Sequence, residues 1–274
     1  MDGQKKGSLL AVTGVSREFL EGLPPITTKA AQLLLIPLAL KVQYTKNYND
    51  TVLHITKAEL VNSLGLSKSY TQEGHLNKYI SDLLVNELLG LKIDGIQIID
   101  AENTALRRGW FDLAFTQEAM DKFFQGLSAK YFTISTDTLV KMKSKHTWNI
   151  LKELFLNYDF SNPKPQLFSR NTFVIKRILN VDYTTEGTKK FDRYHLEQRC
   201  LIPVLNDLRT MAQLKIYKTK CEPGEEDSYL GKAYVWNSGE RYIENYYIGY
   251  KINKVKAEKP EENINDFILC DDED

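Results

Sequence analysis

Side chains that could read DNA bases are concentrated in one stretch of the second half of the sequence. They are Lys189, Lys190, Arg193, Tyr194, Gln198 and Arg199. Arginine can bind guanine through two hydrogen bonds, glutamine can bind adenine in the same way, and lysines reach phosphates. On a helix whose Leu196 faces the core, about 100° per residue directs Tyr194 and Gln198 away from the core. The stretch is therefore typical of a helix that inserts its N-terminal half into the major groove.

The same helical geometry puts Lys190, Arg193 and Glu197 on one flank and Arg199 on the opposite flank. Other cations accompany predicted helices, strands and hairpins. These further candidate DNA contacts are Lys143, Lys145, Arg170, Lys218, Arg107 and Arg108. Lys143 and Lys145 precede a predicted helix at Thr147, where N-terminal amides would add to a phosphate contact. The alternative for each lysine taken alone is ordinary solvation, and it stays open.

Catalytic and metal-binding patterns are missing from the sequence. The four histidines are isolated from one another, and no HExxH, GxGxxG or GxxxxGK[ST] pattern occurs. The three cysteines lie far apart without a CxxC pair, which is typical of a reducing compartment. The sequence therefore predicts a protein that is not an enzyme and that needs no metal or cofactor.

The formal net charge of zero would argue against a nucleic-acid partner if it described the whole chain evenly. Residues 1–126 carry 13 basic and 14 acidic residues, a net charge of −1. Residues 127–256 carry 22 and 14, a net charge of +8, and residues 257–274 carry one and eight, a net charge of −7. The positive charge thus falls on the segment that also contains the candidate DNA-reading helix.

In the first half, the pattern predicts a helix over 28–42 with a kink at Pro37, then a short strand at 53–55. Thr56 and Glu59 form a capping box that starts the next helix. A longer helix begins near His75, and apolar runs at 91–93, 96–98 and 110–115 indicate β-hairpins. Helix, turn, longer helix and hairpin is the order of a winged helix.

In the second half, the same order recurs with a helix at 147–158, a helix at 171–179, and a long helix from 192 to 211. Residues 168–174 parallel residues 55–61 at an offset of 113 positions. Pro203 is expected to bend the long helix. Strands are predicted at 214–219, 232–236 and 246–252. An internal duplication explains these parallels, although four matched positions also occur by chance in mixed α+β chains.

The predicted fold class is α+β, with tandem winged-helix (helix-turn-helix plus β-hairpin) domains related by pseudo-duplication. The predicted boundaries are an N-terminal arm at 1–27, a first domain at 28–127 for dimerisation and DNA contact, a second and main DNA-binding domain at 128–256, and an acidic tail at 257–274. No secretory leader or bilayer-length apolar run occurs, so the expected location is the cytoplasm, without a membrane partner.

Two segments resemble a known family, the replication initiator (Rep) proteins of iteron plasmids. They are Leu196-Glu-Gln-Arg-Cys-Leu-Ile-Pro-Val-Leu-Asn-Asp-Leu208 and Lys145-His-Thr-Trp-Asn-Ile-Leu-Lys-Glu-Leu-Phe155. The layout of two winged helices extends the resemblance over about residues 28–252. The sequence departs from the family at Glu197-Gln198, where more basic residues are usual, and at Asn149, where an arginine is usual.

The resemblance implies a bacterial protein that binds double-stranded DNA at the direct repeats of a plasmid origin and initiates replication. Monomers would bind through both domains, open an AT-rich segment, and recruit the host replication initiator and the replicative helicase. Homodimers would repress the protein's own gene. Two alternatives stay open: a winged-helix transcriptional repressor of plasmid or phage origin, and a protein-interaction module that does not bind DNA.

Overall fold

The computed structural model describes residues 12–45, 51–66, 73–124, 131–181, 195–219, 228–237 and 240–253. Within them, helices and antiparallel strands alternate in two successions of similar order. Each succession runs strand, short helix, helix, strand, helix, helix and β-hairpin. The predicted α+β class is confirmed. The boundary expected at 127/128 lies outside the described residues, and so does the acidic tail.

The first succession occupies residues 12–124. Its elements are β1 (Val12–Ser16), α1 (Arg17–Gly22), α2 (Thr28–Thr45), β2 (Val52–Thr56), α3 (Lys57–Ser63), α4 (Glu73–Leu83) with a π-helical extension at Leu84–Leu88, β3 (Lys92–Ile93), β4 (Ile96–Gln97), β5 (Ala105–Leu106), β6 (Trp110–Ala114), and α5 (Gln117–Ala119) with a π-helical extension at Met120–Phe124. Strand β6 lies between β2 and β5, while β3 and β4 form a separate hairpin.

The second succession begins at residue 131. Its elements are β7 (Tyr131–Ser135), α6 (Thr136–Lys141), α7 (Thr147–Leu156), β8 (Gln166–Asn171), α8 (Thr172–Ile178), a π-helical segment at His195–Leu201, α9 (Ile202–Thr210), β9 (Leu214–Tyr217), β10 (Gly231–Asn237) and β11 (Glu240–Ile252). The 13-residue β11 pairs with β8 on one edge and with both β10 and β9 on the other.

Local sequence signals set several of these boundaries as predicted. The Thr56 hydroxyl accepts a hydrogen bond from the amide of Glu59, whose carboxylate accepts one from the amide of Thr56, so the capping box is confirmed. Gly65, with φ at +58°, follows the end of α3. Asp94 and Gly95 both have positive φ, which is the conformation that a two-residue turn between β3 and β4 requires.

The expectation of an N-terminal arm over 1–27 is wrong for residues 12–27. Strand β1 pairs antiparallel with β7, from Val12 opposite Ser135 to Ser16 opposite Tyr131. Phe19 and Leu20 of α1 are fully buried. A five-residue strand whose partner lies more than a hundred positions away leaves almost no periodicity in the sequence, so local patterning does not reveal it.

Strands β1 and β7 hold equivalent places in the two successions, which gives their pairing an approximate two-fold relationship. The hydroxyl of Ser16 caps α1 and that of Ser135 caps α6, at an offset of 119 positions. Thr56 and Asn171 cap α3 and α8 in the same way, at an offset of 115. The predicted offset of 113 was therefore two positions short, because it aligned the strand of the second succession instead of its cap.

Reciprocal contacts join the two successions at the ends of their short helices. The buried ammonium of Lys152 on α7 donates to the carbonyl of Leu23, the C-cap of α1, at 2.5 Å. The buried amide of Gln32 on α2 donates to the carbonyl of Met142, the C-cap of α6, at 3.0 Å. Helices α7 and α2 thus each donate a hydrogen bond to the carbonyl at the end of a short helix in the other succession. That carbonyl would otherwise be buried without a partner.

Buried apolar residues of both successions form one continuous core. Phe19 packs edge-on against Phe123, and Trp148 of α7 is completely buried. Asn149 also belongs to this junction, since its side-chain oxygen accepts a hydrogen bond from the amide of Ile26 at 3.2 Å. Asn149, at the position where the resembling family usually has arginine, therefore forms a buried link between the two successions.

The long helix expected over 192–211 consists of two parts in its described portion. His195–Leu201 is π-helical, and α9 follows with Pro203 in its first turn. Proline is tolerated there because a first-turn amide has no partner within its own helix. Pro203 thus lies close to the junction between the π-helical segment and α9. Among the helices that the structure describes, none is long and apolar enough to cross a membrane.

Candidate nucleic-acid interface

The π-helical segment His195–Leu201 displays part of the predicted DNA-reading surface. Gln198 and Arg199 are exposed, whereas Leu196 and Cys200 are buried. The structure thus presents the amide and guanidinium groups to solvent and anchors the segment through its apolar side. Lys189, Lys190, Arg193 and Tyr194 lie outside the described residues, so their part of the prediction is untested.

Glu197, predicted on one flank of the helix, is buried there. It is only 8% exposed, and its carboxylate accepts hydrogen bonds from Lys232 at 2.7 Å and from the Tyr246 hydroxyl at 3.0 Å. Glu197 is buried because strands β10 and β11, which carry Lys232 and Tyr246, cover the flank of the segment on which it lies. The acidic residue that departs from the family pattern therefore faces the sheet rather than solvent.

Lys143 and Lys145 have exposed side chains in the loop that precedes α7. The backbone amides of Lys143 and Ser144 donate to one carboxylate oxygen of Asp207 at 2.8 and 2.7 Å. The hydroxyl of Thr147 donates to the same oxygen at 2.6 Å. The first amides of α7, which were expected to add to a phosphate contact, have partners within the protein. The amide of Thr147 donates to the carbonyl of Ser144 at 3.2 Å, and that of Trp148 donates to the Thr28 hydroxyl at 3.1 Å. A phosphate contact at this loop must come from the two lysine side chains.

Arg170 on β8 is engaged within the protein. Its guanidinium donates to the side-chain oxygen of Asn157 at 2.6 Å and to the carbonyl of Ser169 at 2.9 Å. It also lies 4.9 Å from the ring centroid of Phe168. These contacts give Arg170 a structural role at the end of α7, so its predicted contact with DNA would require them to break.

Lys218 follows β9 and is exposed. Lys215 on the same strand is exposed as well, and its ammonium lies 5.2 Å from the ring centroid of Tyr217. Alternate residues of this strand, Leu214 and Ile216, are buried. The alternation leaves Lys215 on the solvent side of the second-half sheet, and Lys218 is exposed just beyond the end of β9.

Arg107 and Arg108 lie at the end of the hairpin formed by β5 and β6, and both are exposed. The Arg107 guanidinium donates to the carboxylate of the buried Asp112 at 3.2 Å. The other carboxylate oxygen of Asp112 lies 2.6 Å from Nδ1 of His54. Arg107 is therefore held along its hairpin by a buried carboxylate, next to the exposed Arg108.

Two exposed tryptophans escaped the sequence-based prediction. Trp110 is 46% exposed beside the two arginines, and Trp236 is 73% exposed near the end of β10. Aromatic residues are common in strands, and the sequence analysis used the two tryptophans only to predict strands. The available signal was position, because Trp110 begins one predicted strand and Trp236 ends another.

No cluster of histidine, cysteine, aspartate or glutamate in the described ranges has the grouping that a metal ion requires. Cys200 is buried. The arrangement of the described site is instead one of exposed cations and aromatic rings on helix and hairpin surfaces. Such groups can bind phosphates and base edges without bond-making chemistry.

Comparison with known proteins gives a match to a solved structure. Neither a protein-family model nor a curated protein sequence matches the chain. The crystal structure of the Pi initiator protein in complex with iteron DNA does match, with a TM-score of 0.54 over 90% of this chain and 100% of that chain. The chain has the fold of the Pi initiator protein.

The match extends through both successions, and it confirms at the level of fold the resemblance to iteron-plasmid initiators drawn from residues 145–155 and 196–208. The sequence identity is 14%. Fold can persist at such divergence while individual contacts change, so residue roles must rest on the geometry of this chain.

Proposed function

We propose that this protein binds double-stranded DNA in a sequence-specific manner and initiates plasmid replication at the direct repeats of an origin. The observation that carries the proposal is the fold shared with the Pi initiator across both successions of elements. The positive charge of residues 127–256 supports it, because phosphate binding requires a basic surface. In this proposal the two successions are tandem winged-helix domains, each with a recognition helix and a hairpin wing.

The proposed interface has one part in each half. In the second half, Gln198 and Arg199 reach base edges together with Lys189, Lys190, Arg193 and Tyr194, and Lys143, Lys145 and Lys218 bind phosphates. In the first half, Arg107 and Arg108 bring the β5–β6 hairpin to the backbone or the minor groove. Two contact regions on one chain fit a target longer than one major-groove site.

The proposal includes a homodimer, formed through the first half, that represses the protein's own gene from the cytoplasm of a bacterium. It also includes recruitment of a host replication initiator and replicative helicase once monomers occupy the origin. The structure supports these steps only through the shared fold. Dimerisation, repression and recruitment of host proteins each need a test separate from that of DNA binding.

Mobility-shift titration of the full chain tests the central claim. The probes are duplexes from the DNA flanking the gene, carrying either direct repeats or a single inverted repeat, and a shuffled duplex. We expect tightest binding to direct repeats, with an affinity that falls as salt rises because released counterions favour the complex. Preference for the inverted repeat alone would support the repressor. No salt-sensitive shift at micromolar protein would exclude both DNA functions and favour a protein-interaction module.

A further inference from the structure

The three tryptophans of this protein differ sharply in environment. Trp148 is completely buried, whereas Trp110 and Trp236 are 46% and 73% exposed. Leaving so large an apolar ring in water forfeits the stabilisation that its burial would give. The two exposed rings occupy comparable places, one at the hairpin of the first half and one at the hairpin of the second.

The backbone around Trp110 holds its ring at a fixed place. The amide of Arg107 donates to the carbonyl of Trp110 at 2.9 Å, which closes the hairpin. The carbonyl of Gly109 accepts from the amide of Lys57 at 3.0 Å, which ties the hairpin to the start of α3. Gly109 has a φ of +94°, a value that favours glycine at this turn. The ring therefore projects from a constrained turn.

The hairpin of the second half offers a similar arrangement at Trp236. This residue lies one position before the end of β10 and pairs with Arg241 across the ladder. The register between β10 and β11 shifts between Ala233 and Tyr234. Such an irregularity bends a strand and redirects the residues beyond it. Trp110 thus follows Arg108 by two positions, and Trp236 is the backbone pairing partner of Arg241.

We propose that Trp110 and Trp236 insert against base steps of the bound duplex and unstack them at two separate points. The inference rests on the proposed function and adds deformation of the DNA to recognition of its sequence. Apolar side chains inserted between base steps kink a duplex, and neighbouring arginines supply the phosphate or minor-groove contacts that hold it there. At the first-half hairpin the exposed ring of Trp110 and the exposed Arg107 and Arg108 match both the apolar base faces and the charged backbone.

Two other exposed apolar residues provide a contrast. Phe173 on α8 is 74% exposed and Leu167 on β8 is 58% exposed. Neither lies on the strand that carries Trp236: Leu167 pairs beside Gly249 of β11, and Phe173 lies in the first turn of α8, which follows the strand on the edge of β11 opposite β10. Phe173→Ala is therefore a matched control, since it removes an equally exposed ring at a different site.

The first test measures the ¹⁹F resonance of each tryptophan ring with and without DNA. The full chain is labelled with 5-fluorotryptophan, and the three ¹⁹F resonances are assigned with Trp110→Phe and Trp236→Phe. The probe is a duplex selected from a random-sequence pool by its mobility shift with the wild-type protein. We expect the resonances of Trp110 and Trp236 to move when the duplex binds and that of Trp148 to remain. If the duplex binds while both exposed-ring resonances stay in place, the inference is wrong and the proposed function stands.

The second test measures unstacking. Permanganate oxidises thymines whose faces are accessible, so reactive thymines in the bound duplex should appear with wild-type protein. Trp110→Ala and Trp236→Ala should each abolish reactivity at one point and weaken binding roughly 5- to 100-fold, the range for loss of one base–aromatic stack. The phenylalanine variants should restore much of both effects, and Phe173→Ala should change neither.

Full reactivity in the two alanine variants would overturn the inference even if their binding weakened, because the rings would then act only as contacts. If no duplex shifts with wild-type protein, the proposed function fails together with the inference that rests on it. The same experiments therefore distinguish unstacking by the two rings, contact without unstacking, and the absence of DNA binding.

Discussion

The carboxylate of Glu197 accepts a hydrogen bond from the ammonium of Lys232 at 2.7 Å, which joins the π-helical segment to strand β10. The pair is well shielded, with the side chain of Glu197 11% exposed and that of Lys232 23% exposed. Tyr246 on β11 donates to the second carboxylate oxygen at 3.0 Å. The candidate DNA-reading segment and the hairpin beside it are therefore linked through one acidic residue.

We expect Glu197→Gln to lower the free energy of unfolding by about 2 kcal/mol, because it leaves a largely buried ammonium without its counter-charge. Urea denaturation measures the change. A double-mutant cycle with Lys232→Met isolates the coupling between the two side chains. Asp137→Asn is the matched control, since it breaks the more exposed Lys141–Asp137 pair of α6 and should cost under about 0.5 kcal/mol. Equal losses in the two variants would contradict the buried role of Glu197.

His146 gives the fold a dependence on pH. Burial and, to a smaller extent, nearby Lys145 lower the pKa of its imidazole to about 4, against the opposite effect of a backbone hydrogen bond at Leu179. The residue is 5% exposed, and its Nε2 is buried without a hydrogen-bond partner among the described residues. A proton on this ring is therefore far less favourable in the folded state than in the unfolded chain.

Between about pH 6.5 and 4 the unfolded chain binds a proton at this ring that the folded state does not, so stability falls as the pH falls through that window. The loss from this group approaches about 3 kcal/mol at the acid end. Urea denaturation from pH 7 to 4 should show a shallower decline for His146→Gln than for wild type. His75→Gln, at an exposed position of α4, is the control and should keep the wild-type decline. An unchanged decline in His146→Gln would contradict the assignment.

The elements that sequence reasoning found were those whose signals are local. The Thr56–Glu59 capping box and the Asp94-Gly95 turn each depend on residues within four positions of one another, and both are present. Strand β1 escaped prediction because its pairing with β7 is decided by residues more than a hundred positions away. Tertiary context of that kind overrides local propensity and leaves no periodic pattern in a five-residue segment.

The sequence predicted which residues form the candidate site but not where each of their side chains lies. Gln198 and Arg199 are exposed as predicted, since apolar neighbours fix the buried side of the segment. The sequence puts Glu197 on a flank of the helix but does not reveal that strands β10 and β11 cover that flank. Arg170 shows the same limit, because nothing local indicates that its guanidinium reaches Asn157. A cation's partner depends on the fold, whereas its presence depends only on the sequence.

Removal of the guanidinium group should impair DNA discrimination at Arg199 and the stability of the fold at Arg170. Arg199→Ala should reduce discrimination between a selected duplex and random DNA by roughly 1–3 kcal/mol, the range for an arginine that contacts a base, with little change in stability. Arg170→Ala should lower the free energy of unfolding by about 1–2 kcal/mol, because it loses a hydrogen bond to Asn157 and its packing on Phe168.

Competition mobility shifts and urea denaturation on both variants check this pair of expectations. Equal weakening on both DNAs in Arg199→Ala would reassign that residue to a phosphate contact. Loss of discrimination in a stably folded Arg170→Ala would show that its internal contacts break on DNA, and would contradict a purely structural role for its guanidinium.

Asp207 holds the loop of Lys143 and Lys145 in place through three hydrogen bonds to one carboxylate oxygen, from two backbone amides and the Thr147 hydroxyl. Hydrogen bonds to a charged acceptor are stronger than neutral ones, and a buried amide that loses its acceptor keeps its desolvation cost. We therefore expect Asp207→Asn to destabilise the fold by about 2–3 kcal/mol in urea denaturation. It should also speed amide hydrogen exchange at Lys143 and Ser144.

Asp82→Asn, at an exposed position of α4, is the matched control and should alter neither measurement. Wild-type exchange at both amides in Asp207→Asn would show that the loop holds its conformation without the carboxylate.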